Sequence, residues 1–173
     1  MSTSNIFELA KKYKTDKGLE QHSFNGISYL HWYDSLLGHK RNEIKSVLEI
    51  GVKDGASLLV WKDYFQNADI FGLDINPICK YVKSDRIKIH IGSQDCPETI
   101  TKLIDEARFF DCIIDDGSHL VDHMIASFNM LWPVVSPGGL YILEDLECLY
   151  KDLTDDVKSW SGMRFNKSNT NYG

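Results

Sequence analysis

Four carboxylates and an imidazole occur in two short segments that each follow an aliphatic run. Residues 113–119 have the sequence IIDDGSH, and residues 143–145 have the sequence LED. Carboxylates that lie close together repel each other, and a hard divalent cation such as Mg²⁺ relieves the repulsion because it prefers oxygen ligands. The two segments therefore predict a metal site if the fold brings them together.

Asp115 and Asp116 are neighbours at the end of a predicted strand, so their side chains should point to opposite faces and have different roles. His119 follows Asp116 by three residues, on the turn into a predicted helix. A neutral imidazole beside a metal-bound hydroxyl can act as a general base. The alternative is structural: Asp116 or Ser118 caps the helix, and His119 only orients Asp116.

A glycine-rich turn precedes these segments. Residues 49–55 have the sequence EIGVKDG, in which Gly51 and Gly55 allow the backbone to approach a ligand at the start of a helix. The spacing differs from the GxGxxG of dinucleotide-binding turns, and Glu49 suits a cationic or hydroxyl-bearing ligand. A purely structural tight turn is the alternative.

Two further strand ends carry polar side chains. Asp74 lies 25 residues after Glu49, where a carboxylate can accept hydrogen bonds from both hydroxyls of a ribose. An Asx turn before Pro77 is the alternative, although the combination with Glu49 favours the ribose. Ser93 and Gln94 follow the next strand and could contact an adenine, but a simple loop explains them equally well.

The elements that must position these residues follow from periodicity. Aliphatic runs alternate with stretches of helical period between residues 46 and 145, which predicts βαβ units around a parallel sheet. The predicted strands are Ser46–Ile50, Asp69–Asp74, Arg86–Ile91, Phe110–Asp115 and Gly139–Glu144. The predicted helices are Ala56–Phe65, Cys79–Lys83, Pro97–Ala107 and Val121–Trp132. Pro137 and the two glycines after it should break the chain before the last strand.

Two apolar stripes precede this region. They predict helices that pack through Ile6, Leu9, Ala10 and Tyr13 and through Tyr29, Trp32, Tyr33, Leu36 and Leu37. Residues 14–26 are polar and predict a linker or lid over the ligand edge of the sheet. The four cysteines are too widely spaced for a metal knuckle or a dense disulfide framework, so we expect reduced thiols.

The overall composition limits the classes of function. The chain has 173 residues, of which 43% are hydrophobic and 25% charged, and this is typical of one globular domain. Its net charge of −6 argues against binding to nucleic acid or to an anionic membrane surface. Its apolar runs are far shorter than the roughly 20 residues of a membrane span. Because the first residues lack the pattern of a secretory signal, we expect a cytoplasmic protein.

The order of these motifs resembles that of class I S-adenosylmethionine-dependent methyltransferases. The closer likeness is to the metal-dependent sugar O-methyltransferases of macrolide biosynthesis and to the related cephalosporin hydroxylase-like group. It covers most of residues 5–150, including KYKTDK at 12–17, VLEIGV at 47–52 and LWP at 131–133. The most specific feature is IIDDGSH with a Glu-Asp pair 28 residues after Asp116.

The resemblance implies a role for each matching position. Glu49, Gly51 and Gly55 would border the methionine part of the cofactor, and Asp74 would hold its ribose. Ser93 and Gln94 would flank the adenine, although the family often has Asp where this chain has Ser93. We assign Asp115 to the cofactor site as well. The Mg²⁺ ligands would be Asp116, Glu144 and Asp145, with His119 as the general base and Asp116 also counted as catalytic.

We therefore predict an α/β protein with the Rossmann-like methyltransferase fold, a mostly parallel sheet with helices on both faces that lacks the family's last two strands. Residues 1–40 would form a helical cover, residues 41–150 the S-adenosylmethionine-binding core, and residues 151–173 a polar tail or the start of a truncated segment. The predicted reaction is Mg²⁺-assisted methyl transfer to a hydroxyl of a sugar-bearing small molecule, by a monomer or a homo-oligomer. The alternatives are a non-catalytic or truncated cofactor-binding scaffold and a hydroxylase-type enzyme.

Overall fold

The structure is a computed structural model that describes residues 5–18, 23–24 and 27–146. The predicted tail 151–173 lies outside the described residues, and the predicted domain boundaries stay predictions. The helices are α1 (Ile6–Tyr13), α2 (Tyr29–Leu37), α3 (Ala56–Tyr64), α4 (Pro97–Ala107) and α5 (Val121–Leu131). The strands are β1 (Ser23–Phe24), β2 (Ile27–Ser28), β3 (Ser46–Ile50), β4 (Asp69–Asp74), β5 (Ile87–Ile91), β6 (Phe110–Asp115) and β7 (Val135–Leu143).

The central sheet has five strands in the order β5-β4-β3-β6-β7, and every neighbouring pair is parallel. Because β4 and β5 lie on one side of β3 while β6 and β7 lie on the other, the strand order reverses between β3 and β6. Open α/β sheets bind ligands at the carboxyl ends of the strands at such a switch point. The predicted parallel sheet is confirmed, and β1 and β2 form a separate antiparallel pair.

Helices cover both faces of the sheet, because side chains along β3 alternate between the two faces and are apolar on both. Val47 packs into the core shared with α1, α2 and α3, whereas Leu48 and Ile50 pack into the core beneath α4 and α5. Both cores are closed by fully buried side chains such as Trp61 and Phe110. A parallel sheet buried on both faces needs apolar residues at successive positions, which is what β3 provides.

Two elements differ from the sequence-based prediction in type or in where they begin. The predicted helix Cys79–Lys83 is a short 3₁₀ helix, Pro77–Tyr81, with Asn76 as its N-cap. Strand β7 begins at Val135, so Pro137 lies inside it rather than before it. The pairing shifts register there, because Phe110 pairs with Val135 but Cys112 pairs with Leu140. Proline is tolerated at such an irregularity since it leaves no ladder hydrogen bond unmade.

Helix α1 packs against α3, and α2 meets α3 where the ring centroids of Tyr33 and Trp61 lie 4.8 Å apart. The predicted stripe of α1 is confirmed for its buried residues Ile6, Leu9 and Ala10. In α2, Tyr33 is buried, but Trp32 and Leu36 are 42% and 45% exposed, so the aromatic stripe is narrower than predicted. After α1, Lys14 adopts a left-handed conformation, and the chain turns into a short 3₁₀ helix at Asp16–Gly18.

Two smaller predictions concern cysteines and membrane segments. Cys79, Cys96 and Cys112 are free thiols, as expected, and Cys112 is buried in the core. Cys148 lies outside the described residues. Within the part of the chain that the structure describes, no helix has the length and apolar character needed to cross a membrane.

Candidate functional site

A cleft of about 500 Å³ opens at the carboxyl edge of the sheet, at the switch point. Its volume lies within the roughly 300–1,000 Å³ of small-molecule sites. The residues that line it come from the turn after α1, the glycine-rich turn after β3, the end of β4 and the ends of β6 and β7: Lys14, Thr15, Asp16, Lys17, Gly51, Val52, Lys53, Asp54, Ala56, Ser57, Asp74, Asp116, Gly117, His119 and Asp145.

Three of the predicted metal and catalytic residues meet in this cleft. Ligand atoms of Asp116, His119 and Asp145 all lie within 4.8 Å of one another. His119 Nε2 is 3.7 Å from Asp116 Oδ1 and 4.0 Å from Asp145 Oδ2. The Tyr29 hydroxyl donates to Asp145 Oδ1 at 2.8 Å. His119 and Asp145 both have positive φ angles, 55° and 54°, a strained backbone conformation that is concentrated at functional sites.

Lys17 is the residue that sequence reasoning missed. Its side chain is only 3% exposed, and its ammonium group donates to Asp116 Oδ2 at 2.7 Å and to Glu144 Oε2 at 2.6 Å. Glu49 Oε1 lies 3.4 Å from the same nitrogen. Lysine is almost never fully buried unless it is paired, so this contact set explains its position. Only two weak signals point to Lys17 in the sequence: the KYKTDK segment and the expectation that residues 14–26 cover the ligand edge of the sheet.

Glu144 lies behind the cleft rather than on its surface. Its side chain is 4% exposed, and its two oxygens accept hydrogen bonds from Lys17 and from the Tyr33 hydroxyl. The structure groups Asp116 and Asp145 with His119, whereas the Glu144 side chain lies behind them and bonds to Lys17, so its predicted role as a metal ligand stays a prediction. Glu144 and Asp116 share the Lys17 ammonium group.

Burial and charge oppose each other in this group. Burial opposes the charge of Lys17, but the negative charges of Glu144, Glu49 and Asp116 outweigh it and raise the pKa of Lys17 well above its ordinary value. Burial raises the pKa values of Glu49 and Glu144, and Lys17 counteracts both shifts. Because Lys17 lies at hydrogen-bonding distance from Glu144 and Asp116, we treat it as a permanently charged ammonium group.

Glu49 is fully buried and does not line the cleft. Its Oε2 atom accepts hydrogen bonds from the Ser57 hydroxyl at 2.6 Å and from Trp61 Nε1 at 3.1 Å. These bonds connect α3 to the end of β3. The contact with Lys17 connects the segment after α1 to the same carboxylate. In this structure Glu49 organises the site from beneath, and its predicted contact with the methionine part of a cofactor stays a prediction.

The glycine-rich turn is held by Asp74. Asp74 Oδ2 accepts the backbone N–H groups of Val52 at 2.8 Å and Lys53 at 3.0 Å, and Oδ1 accepts that of Asn76 at 2.7 Å. The bond from Asn76 closes an Asx turn, which is the alternative role considered for Asp74. A carboxylate has about four acceptor positions, so these three bonds leave Asp74 about one position for a ligand. The Asx turn is therefore compatible with a hydrogen bond from one ribose hydroxyl, and the predicted bonds from both hydroxyls stay a prediction.

Asp115 points away from Asp116, as the alternation along β6 predicts. It is 1% exposed, and it accepts hydrogen bonds from Gln94 Nε2 at 3.0 Å, the Ser127 hydroxyl at 2.9 Å and the Tyr141 hydroxyl at 3.1 Å. Burial raises its pKa, and these donors counteract the shift. Asp115 joins α5 to the end of β6 and is not part of the cleft lining, so its assigned cofactor contact stays a prediction.

Gln94 and Ser93 also bond within the protein. The Gln94 amide donates to Asp115 and Ser127, and its Oε1 accepts the backbone N–H of Ser118 at 2.8 Å. The Ser93 hydroxyl donates to Asp95. Neither residue lines the cleft, and their predicted contact with an adenine stays a prediction. Gln94 fixes the conformation of the DDGSH turn.

The capping alternative for Asp116 is not observed. The N-cap of α5 is Leu120, whose own backbone N–H donates to the Ser118 hydroxyl at 3.3 Å. Asp116 instead directs its carboxylate toward Lys17 and His119. Its side chain is therefore used in the cleft rather than at the start of a helix.

The donor set fits a hard divalent ion and a cationic small molecule. Asp116 and Asp145 offer carboxylate oxygens and His119 offers one ring nitrogen, and Mg²⁺ is held in proteins by one or two carboxylates. A non-haem iron site would prefer two histidines with one carboxylate. Asp54 and Asp74 line the other end of the cleft together with Lys53. The whole lining contains five aspartates and three lysines, so its formal charge is negative, which suits a ligand with a positive charge.

The fold and the acidic cleft at its switch point are those of a class I methyltransferase domain. A family model for a methyltransferase domain matches residues 48–146, and the chain belongs to this family. Demethylmacrocin O-methyltransferase of Streptomyces fradiae is 41% identical over 132 residues, which cover 70% of this chain and 33% of that protein. The resemblance inferred from the sequence motifs is therefore confirmed.

Two further comparisons involve the mycinamicin pathway. Mycinamicin VI 2''-O-methyltransferase of Micromonospora griseorubida is 36% identical over 156 residues, covering 84% of this chain and 37% of that protein. The solved structure of the methyltransferase MycE in complex with Mg, SAH and mycinamycin VI matches with a TM-score of 0.77 at 31% identity, covering 97% of this chain and 42% of that one. The chain thus spans about a third to two fifths of the length of these relatives.

Proposed function

We propose that this chain carries the catalytic domain of an S-adenosylmethionine-dependent O-methyltransferase that acts, with the help of Mg²⁺, on a hydroxyl of a sugar or another polyhydroxylated small molecule. The observation that carries the proposal is the meeting of Asp116, His119 and Asp145 within 4.8 Å in the same cleft as the glycine-rich turn. The relatives named above, which are O-methyltransferases of sugar-bearing natural products, support the choice of substrate class.

Asp116 and Asp145 would hold the metal ion, with Glu144 as the third predicted ligand. A bound divalent ion lowers the pKa of a hydroxyl that coordinates it and orients that hydroxyl. The cofactor would lie along the other end of the cleft, against Gly51 and Gly55, with its ribose at Asp74. The acidic lining favours the positively charged sulfonium of the methyl donor over its neutral product.

His119 is the proposed proton acceptor. In methyl transfer to a hydroxyl, the acceptor oxygen bonds to the methyl carbon, the carbon–sulfur bond breaks, and the hydroxyl proton must leave. His119 Nε2 faces the two carboxylates that would hold the ion, and it is therefore well placed to accept the proton. Positioning of the acceptor near the methyl group contributes the remaining acceleration.

Calorimetric titration with S-adenosylmethionine and with S-adenosylhomocysteine, each with and without Mg²⁺, tests the proposal. We expect both nucleosides to bind and Mg²⁺ to bind at a single site. A following screen for methyl transfer to glycosylated small molecules, detected by mass spectrometry, tests the reaction. A protein that binds neither nucleoside nor Mg²⁺ would overturn the proposal, and one that binds the nucleosides but transfers no methyl group would support the cofactor-binding scaffold.

A further inference from the structure

Lys17 is shared by several acidic side chains, two of them buried. Among the described residues, its ammonium group has three carboxyl neighbours, Asp116, Glu144 and Glu49, at 2.7, 2.6 and 3.4 Å. Glu49 and Glu144 are both nearly inaccessible, at 0% and 4% side-chain exposure. One ammonium group is thus shared by three carboxyl groups.

Of these three carboxyl groups, that of Asp116 also lines the cleft. Asp116 bonds to Lys17 through Oδ2, while its Oδ1 atom faces His119. Asp116 thus divides its two oxygens between the buried ammonium group and the cluster that could hold an ion. An ion bound to Oδ1 and the ammonium group on Oδ2 would repel each other across one carboxylate.

We infer that Lys17 is an internal counter-ion of the metal site: it holds Asp116, Glu144 and Glu49 together before an ion binds, and it then competes with the ion for Asp116. The inference rests on the proposed metal site. Lys17 therefore acts as a positioning residue that sets the affinity for the ion. It also ties the segment after α1 to the carboxyl ends of β3, β6 and β7.

Two effects of removing the charge oppose each other, and their sizes decide the outcome. Without Lys17 the carboxylates are less well positioned, which should weaken ion binding. However, even at a separation of about 8 Å and an effective dielectric constant of about 20, repulsion between an ammonium group and a divalent ion corresponds to well over a tenfold change in affinity. We therefore expect the loss of repulsion to dominate.

The test compares wild type with Lys17→Met, which keeps most of the aliphatic length and removes the charge. Mg²⁺ binding is measured by calorimetry without any nucleoside, and thermal unfolding is measured in EDTA and in excess Mg²⁺. Lys17→Met should bind Mg²⁺ at least tenfold more tightly than wild type. In EDTA its melting temperature should be about 10 °C lower, because the buried carboxylates lose their partner. Excess Mg²⁺ should restore most of that loss.

Lys53→Met is the matched control, because Lys53 lines the same cleft but its side chain is 76% exposed and pairs with Asp16. Its Mg²⁺ affinity should change by less than threefold, since solvent screens an exposed charge. The double variant Lys17→Met with Glu144→Gln covers the case in which the single variant does not fold. The double variant should unfold at a higher temperature in EDTA than Lys17→Met, because it contains one buried carboxylate fewer.

The outcomes separate this inference from the proposed function. If wild type binds Mg²⁺ and Lys17→Met binds it equally or more weakly, the counter-ion inference is wrong and the metal site stands. If neither protein binds Mg²⁺, the metal site and the inference both fail. If both variants with Lys17→Met fail to fold, Lys17 acts through packing rather than through these carboxylates, which also overturns the inference.

Discussion

Gly51 lies directly against the backbone carbonyl of Asp116. A Cβ atom on Gly51 would be 1.9 Å from the Asp116 carbonyl oxygen, and the φ angle of Gly51 is +90°. The backbone N–H of Asp116 in turn donates to the Ile50 carbonyl at 2.9 Å. The glycine-rich turn after β3 and the DDGSH turn after β6 are therefore packed backbone to backbone. This contact places the proposed cofactor end of the cleft beside the proposed metal end.

Gly51→Ala should destabilise the fold by roughly 3–6 kcal/mol, because it adds a steric clash to a strained backbone conformation. Gly138→Ala is the matched control: Gly138 has a φ of +79°, but nothing lies within 4 Å of its Cβ position. The control should lose only about 1–2 kcal/mol from backbone strain. Denaturant unfolding measures both values, and equal losses would show that the contact with Asp116 is not tight.

Asp74→Ala should weaken S-adenosylhomocysteine binding by tenfold or more. Hydrogen bonds to a charged group contribute roughly 1.5–3 kcal/mol each, and the substitution removes the proposed bonds to the ribose. The fold should also lose stability, since Asp74 holds the backbone N–H groups of Val52 and Lys53. Calorimetry and thermal unfolding measure the two effects separately.

Asp54→Ala provides the comparison for Asp74. Asp54 lines the same cleft and accepts the backbone N–H of Ala56 at 3.0 Å, within the same turn. The Asp54→Ala substitution should lower the affinity for S-adenosylhomocysteine by much less than Asp74→Ala does. If a folded Asp74→Ala protein retained full affinity, the ribose would bind elsewhere.

The strand ends were predictable because they depend on local patterns. The aliphatic runs correctly predict that β3, β4 and β6 end at Ile50, Asp74 and Asp115. The alternation of side-chain direction along β6 correctly predicts that the side chains of Asp115 and Asp116 point to different places. The irregular start of β7 was not predictable, since Pro137 normally argues against a strand. Its position depends on how β7 pairs with β6, which only the folded chain determines.

The contacts of polar side chains were harder to predict because they join distant parts of the chain. Lys17 pairs with Glu144 across 127 residues, and Gln94 bonds to Asp115 across 21 residues. Lysine and glutamine are usually solvated, so no local pattern marks them as buried. Glu49 and Glu144 were correctly placed at the carboxyl edge of the sheet, but the sequence could not indicate that their side chains turn inward.

Asp116→Asn combined with Glu144→Gln should abolish the stabilisation of the fold by Mg²⁺. A ligand at 100 times its dissociation constant stabilises the native state by about 2.7 kcal/mol, and the double variant should gain nothing comparable. Its stability in EDTA should fall, because Lys17 keeps only Glu49 as a charged partner. Thermal unfolding with and without Mg²⁺ measures both effects. A double variant that gained as much from Mg²⁺ as wild type would place the ion elsewhere.

His119→Ala separates the general-base role from a role as metal ligand. His119 Nε2 lies 3.7 Å from Asp116 and 4.0 Å from Asp145, distances compatible with either role. A general base contributes a factor of roughly 10²–10⁴ to the rate, so the turnover of an acceptor that the wild-type protein methylates should fall by that factor. The Mg²⁺ affinity should change by less than threefold, because the carboxylates remain. A tenfold loss of Mg²⁺ affinity would instead identify His119 as a ligand, and full turnover with an intact metal site would remove it from the reaction.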